Sequence, residues 1–269
     1  MPSDPGADRA GTDRELTMTA HDNPDLDRLD LLWGRPPRRA RGPRPSLTVE
    51  QVTDIAIELA DESGLDAVSM KRLAERLQVG TMTLYTYVPD KAALLALMLD
   101  RVVGEVTLAE PSEDWRGHLR RSAEALLALY RRHPWTMQIN VEGPPLAPNQ
   151  MRYLESLLQA LSKTGLGRGE ALDIALSLTY FVLGTAKTTG GVLDAERTSP
   201  LSPEEIRAGR SEAVRRVLDP AAFPLALEAM TESIDGAPPG GLWNSLGFAF
   251  GLDRFIDGIA AYAEARGKR

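Results

Sequence analysis

The stretch VSMKRLAERLQVGTMTLYTYVPDK, residues 68–91, decides the architecture. It reads as two short helices around a tight turn. Ser69 is a helix-capping residue, and Leu73, Ala74 and Leu77 fall on one helical face behind it. Gln78-Val79-Gly80 supplies the turn, with Val79 as an apolar plug. Thr81 opens a second helix expected to run to Tyr87, with Pro89 closing it. On that second helix Leu84 and Val88 share the side that can dock. Thr81, Thr83, Tyr85, Thr86 and Tyr87 are left to point outward.

Working outward, Thr48 followed by Gln51 is a capping box ahead of Val52, Ile55, Ala56 and Leu59, which recur at helical spacing. Gly64 suits a left-handed stop. Two short helices joined by a three- or four-residue turn and backed by an amphipathic helix make helix-turn-helix geometry. Threonine hydroxyls can bond phosphates or base edges, threonine methyls can touch thymine methyls, and tyrosine hydroxyls reach phosphate oxygens. The second helix carries no Arg or Lys; Lys71, Arg72 and Lys91 flank it as phosphate-neutralising candidates. A three-helix packing unit with a solvated Thr/Tyr face is the competing reading.

Downstream, Asp90 can cap a helix from Lys91 to about Thr107, and a helix from Asp114 to Arg132 stops at His133-Pro134. Further helices are expected from about Asn149 to Lys163, over 169–187, after the Ser202-Pro203-Glu204-Glu205 capping box, and from Leu242 to Ala265. No segment alternates with period two, and no repeat is visible. The class is all-α. The expected division is residues 1–46 as a disordered Arg/Pro-rich arm, 47–92 as the helix-turn-helix domain, and 93–269 as a helical ligand-binding and dimerisation domain reached through a linking helix.

Residues 68–91 strongly resemble the DNA-binding domain of the TetR family of transcriptional regulators, over some forty residues in all. The resemblance implies that Thr81, Thr83, Tyr85, Thr86 and Tyr87 face operator DNA, and that Lys91 contacts phosphate. Gln78 stands where that family usually has Gly, a departure that costs little if a left-handed backbone is tolerated there. Residues 250–259 are similar to the closing helix of the tetracycline-repressor branch, and residues 180–184 to its earlier dimer helix. The expected function is therefore a ligand-responsive, DNA-binding transcriptional regulator. It is read as a bacterial repressor that a small hydrophobic or amphipathic molecule releases from its operator. The alternatives are an activator, or a helix-turn-helix kept only for protein association.

Dimer and ligand follow less directly. Phe248, Leu252, Phe255, Ile259 and Tyr262 form a seam suited to packing against another helix, and helix 169–187 is apolar on nearly all sides. The resemblance implies that these two helices build a four-helix bundle in a homodimer; the competing reading is a monomer core. Trp135, Met137, Asn140, Tyr153, Tyr180, Thr185 and Trp243 are candidate pocket linings, since small-molecule sites combine aromatics with a few polar groups. For each of them, ordinary packing is the simpler reading.

Composition narrows the rest. The 269 residues carry a net charge of −7, which opposes nucleic-acid binding only on average. Locally, Arg35, Arg38, Arg39, Arg41 and Arg44 cluster without an acid among them, while residues 1–30 are rich in Asp. That cluster fits either an arm on phosphates or in the minor groove, or a solvated linker. With no cysteine there is no disulfide framework and no thiolate nucleophile. The longest uncharged apolar run, 174–186, falls short of the roughly 20 residues a membrane span needs. No signal core leads the chain, so a cytoplasmic protein without a membrane partner is expected. His118 and His133 show no metal spacing with any carboxylate, Asp253 and Asp257 beside Arg254 read as a solvated face, and no nucleophile–base pair appears. Neither enzyme activity, metal nor cofactor is expected.

Overall fold

A computed structural model describes residues 24–35, 47–108, 114–139, 146–236 and 246–267. Among these residues every regular element is a helix: α1 (Pro24–Leu32), α2 (Val49–Ser63), α3 (Met70–Leu77), α4 (Thr81–Tyr85), α5 (Lys91–Val103), α6 (Trp115–Arg132), α7 (Pro148–Leu161), α8 (Arg168–Thr198), α9 (Pro203–Val217), α10 (Pro224–Asp235) and α11 (Leu246–Gly267). Short 3₁₀ turns occupy Leu65–Ala67, Pro134–Gln138 and Ser162–Thr164.

The caps expected from sequence do start the N-terminal helices. Thr48 Oγ1 accepts from the Gln51 N–H, and the Gln51 side chain accepts from the Thr48 N–H. Ser69 Oγ accepts from the Arg72 N–H, and Asp90 Oδ1 from the Ala93 N–H. Gly64 has positive φ but an extended ψ of 168°, so it stops α2 without the left-handed cap expected of it.

Three helices of the body, α6, α7 and α8, pack on one another, and α11 lies against α6 and α8. The linking helix α5 touches α2 on one side and α7 on the other. One apolar cluster runs without a break from Leu47 and Val52, through Leu84, Leu94 and Met98, to Leu157, Leu178 and Ile256. Helices α9 and α10 pack chiefly against each other.

Several expectations need correction. Residues 1–46 are not wholly without structure, because α1 forms within them and packs on α5. Helix α4 ends at Tyr85, and Thr86 and Tyr87 continue in a turn; α5 ends at Val103 rather than near Thr107. Helix α8 runs on from 187 to Thr198. The seam of the last helix is mostly internal. Phe248, Leu252 and Ile259 are buried in their own chain, and Phe248 and Phe255 both stack on Phe181 of α8. Trp243 lies outside the described residues.

The turn between α3 and α4 depends on a single strained residue. Gln78 adopts φ 56°, ψ 39°, and the Val79 N–H reaches back to the Ala74 carbonyl at 3.0 Å to close the helix end. A left-handed backbone costs a residue with a Cβ roughly 1 kcal/mol more than glycine. Replacing Gln78 with Gly is expected to stabilise the protein by about 0.5–1 kcal/mol, read as a higher urea midpoint at unchanged slope. A lower midpoint would show that the Gln78 side chain contributes more than its backbone costs.

Candidate nucleic-acid interface and the joint behind it

A helix of five residues has no stability of its own, so α4 exists because it is anchored. Leu84 and Val88 are fully buried, facing the same cluster as Leu73 and Ala74 of α3. The opposite flank is open. Thr83, Tyr85 and Thr86 are exposed, and Thr81 and Tyr87 are half-buried. Tyr87 packs partly on the core, which makes it the least available of the five. The Thr86 hydroxyl donates to the Thr83 carbonyl at 2.6 Å, leaving its oxygen lone pairs for an incoming donor.

Sequence reading missed Met82. At 78% exposure it is among the most open large apolar side chains of the molecule, and it stands in the first turn of α4. Its place two residues before the inward-facing Leu84, on the opposite side of a helix turn, was the signal available in the sequence. Lys71 and Arg72 are exposed at the start of α3, and Lys91 is exposed at the start of α5. Three cations therefore flank a hydroxyl-bearing helix. Arg76 is engaged elsewhere, with its two Nη groups bonded to the Glu62 carboxylate at 2.8 and 2.6 Å. That pairing draws the Glu62 carboxyl below its ordinary range.

Behind this head lies a polar joint. Asp100 of α5 is buried and accepts from the backbone N–H groups of Asn149 and Gln150, at 2.9 and 3.1 Å. Its other oxygen accepts from Asn149 Nδ2 at 3.0 Å. Helix α7 has no side-chain cap of its own, so a carboxylate from α5 performs that service. The next residue, Arg101, points the other way and pairs with Asp54 of α2 at 3.0 Å. A second tie runs through His133, whose Nδ1 lies 2.8 Å from Asp61 of α2 and whose Nε2 lies 3.3 Å from Glu105. The indole N–H of Trp135 donates to the same Asp61 oxygen at 2.6 Å. His133, read from sequence only as a helix stop, therefore ties the head to the body.

The candidate pocket residues do not converge on one wall. Trp135 is buried and committed to Asp61; Tyr153 is buried, with its hydroxyl donating to the Ser122 carbonyl at 3.1 Å. Thr185 donates to the Phe181 carbonyl one turn back. Met137 is half-buried against the core. Tyr180 is 63% exposed on the surface of α8. Asn140 lies outside the described residues. Three residues that the sequence did not single out as lining form a buried polar patch beside Tyr153. His118 Nε2 sits 2.9 Å from Ser156 Oγ, and the Ser122 hydroxyl, also buried, has no hydrogen-bond partner.

An anchored short helix with an exposed hydroxyl flank, cations on either side and a tied helical body form a helix-turn-helix arrangement. Residues 52–98 match the family described as bacterial regulatory proteins, tetR family, and residues 108–263 match the tetracyclin repressor-like C-terminal domain. The chain belongs to the TetR family, whose members are transcriptional regulators, and it is a DNA-binding transcriptional regulator of the helix-turn-helix type. It is 35% identical to the HTH-type transcriptional repressor DrrR1 of Streptomyces coeruleorubidus, over 97% of this chain and 96% of that protein. The tetracycline repressor class A from transposon 1721 of Escherichia coli is 29% identical, over 76% of this chain and 87% of that one. Among solved structures, ActR of Streptomyces coelicolor in complex with actinorhodin superposes with a TM-score of 0.67 at 26% identity, covering 81% of this chain and 99% of that one. Among the described residues, no helix is long and apolar enough to cross a membrane.

The joint carries a pH signature. Burial pushes the Asp100 carboxyl above its ordinary range, while the N–H groups of Gln150 and Asn149 pull it back. The folded state therefore holds this proton more tightly than the unfolded chain does. Stability from this group falls as pH rises from the ordinary carboxyl value through the raised one. Asp100→Asn has no such proton. Urea midpoints of the wild type are expected to lose ground against those of the variant as pH rises across that window. Parallel curves would contradict the assignment.

Proposed function

We propose that the protein is a cytoplasmic repressor without enzymatic activity, bound to its operator as a homodimer through Thr81, Met82, Thr83, Tyr85 and Thr86, with Lys71, Arg72 and Lys91 on phosphates. Tyr87 stands at the edge of this surface. The observation that carries the reading is the division of α4 into a buried flank, Leu84 with Val88, and an open one. A partly exposed short helix whose outer side bears hydroxyls and a thioether is suited to base edges and thymine methyls.

The dimer is supported by what α8 and α11 leave uncovered. Tyr180 is 63% and Phe250 64% exposed, with Leu172 and Tyr262 also open. Aromatic side chains of this size on two long helices are the composition of an interface core. A two-fold assembly that set two copies of α4 about 34 Å apart would match successive major grooves.

The effector is a small hydrophobic or amphipathic molecule, received among α6, α7 and α8. Tyr153, Ser122, His118 and Ser156 offer it a polar end inside an otherwise apolar body. The ActR complex with actinorhodin supports an organic effector for this chain. Binding would favour a state in which the two reading helices no longer match the grooves.

The test is a gel shift on DNA from the protein's own promoter region, alongside native mass spectrometry with and without a metabolite library. The expected result is a dimer that retards this DNA, and a Thr83→Ala/Tyr85→Ala double variant that is folded and at least about tenfold weaker, since each lost base contact costs about 1–3 kcal/mol. Undiminished retardation by that variant would refute the interface.

A further inference from the structure

Helix α1 lies ahead of the residues matched by either family domain. It is a well-terminated element. Gly34 sits at φ +66°, its N–H donates to the Leu31 carbonyl at 3.1 Å, and the Arg35 N–H donates to the Asp30 carbonyl at 2.6 Å. This is the six-residue closure that stops a helix at glycine. Nine residues are too few for a helix to persist alone in water, so α1 is helical because it is docked.

What it docks on is specific. Helix α1 packs on α5, with Leu31 half-buried against the common core and Leu29 and Leu32 half-buried beside it. Just past its end, the Trp33 indole N–H donates to the Leu146 carbonyl at 2.9 Å, bridging 113 positions of sequence. Leu146 is two residues before Pro148, the first residue of α7. There the carboxylate of Asp100, from α5, caps α7 through Asn149 and Gln150. Helix α1 and Asp100 therefore join the same two elements, one from outside by a strapped helix and one from inside by a buried carboxylate. Gly104, at the end of α5, tightens the same corner, since a Cβ there would stand 3.0 Å from Asn149 Nδ2.

We propose that α1 is an intramolecular strap that holds α5 against the N-terminal end of α7 and so sets the resting position of the DNA-reading head. The holding stands on these contacts alone; the effect on the head rests on the operator-binding reading above. Helix α5 follows α4 after a short turn, so whatever fixes α5 fixes α4. The strap is the part of this joint that can come off most readily, because it is a single nine-residue helix with a small, half-buried apolar face. Its docking and the placement of α5 are two sides of one equilibrium, and a change that favours one favours the other.

Hydrogen–deuterium exchange of the full-length protein tests the strap. Two variants remove it, a chain lacking residues 1–34 and the point change Leu31→Asp; a chain lacking residues 1–22 is the control. Amides of 93–103 and 149–152 are expected to exchange about fivefold faster or more in both variants, and as in the wild type in the control. Unchanged exchange over 93–103 overturns the strap. The same proteins are then titrated with own-promoter DNA. Both variants are expected to bind about threefold more weakly or worse, with the slope of log affinity against log salt unchanged because the proposed phosphate contacts, Lys71, Arg72 and Lys91, are all retained. Faster exchange with undiminished affinity overturns the effect on the head. If the wild type itself fails to bind this DNA, the operator reading falls, and with it the strap's effect on the head, while the exchange measurement still judges the strap.

Discussion

Everything this protein can do with DNA depends on the burial of two side chains, Leu84 and Val88, beneath a helix one and a half turns long. A segment that short gains too little from its own hydrogen bonds to hold a shape. Burying a leucine and a valine is worth about 1.5–3 kcal/mol each, which exceeds what the segment's own hydrogen bonds supply. The anchor also fixes orientation. With Leu84 inward, Thr83 and Tyr85 have no choice but to face out, and the chemistry of the surface follows from the chemistry of the core.

The rest of the molecule keeps that head in one place. Ordinary apolar packing joins α5 to its neighbours, but apolar surfaces slide. The polar ties give the joint its register: Asp100 to the start of α7, Arg101 to Asp54, and Asp61 to both His133 and Trp135. The exposed Arg101–Asp54 pair contributes little energy by itself. The buried Asp100 is different, because breaking its bonds would strand a carboxylate and two N–H groups away from water. A joint of that kind holds one arrangement or gives way to another, which is what a regulator that switches between two affinities needs.

Much of this was legible in the sequence where the determinants are local. Thr48, Ser69, Asp90 and Ser202 each cap the helix expected of them, because a cap is decided within four residues. The left-handed backbone of Gln78 is what the family resemblance implies, since that family usually has Gly at this position. Helix α1 was missed although Pro24 and Gly34 are start and stop signals ten residues apart, because its acidic, Gly/Pro-rich surroundings read as disorder. Its stability comes from α5 and Leu146, which no local pattern reveals. His133 was seen as a helix end and is one; its bonds to Asp61 and Glu105, 72 and 28 positions away, belong to the tertiary structure. The aromatic seam of α11 had the right period, but period cannot say whether the covering helix belongs to the same chain or to another copy.

Operator binding by the proposed homodimer requires two copies of α4 to enter one face of a duplex. Hydroxyl-radical footprinting on the protein's own promoter region measures this directly. Two protected patches on the same face, centred about 10 base pairs apart, are the predicted result. A single patch, or protection spread evenly along the fragment, would contradict it.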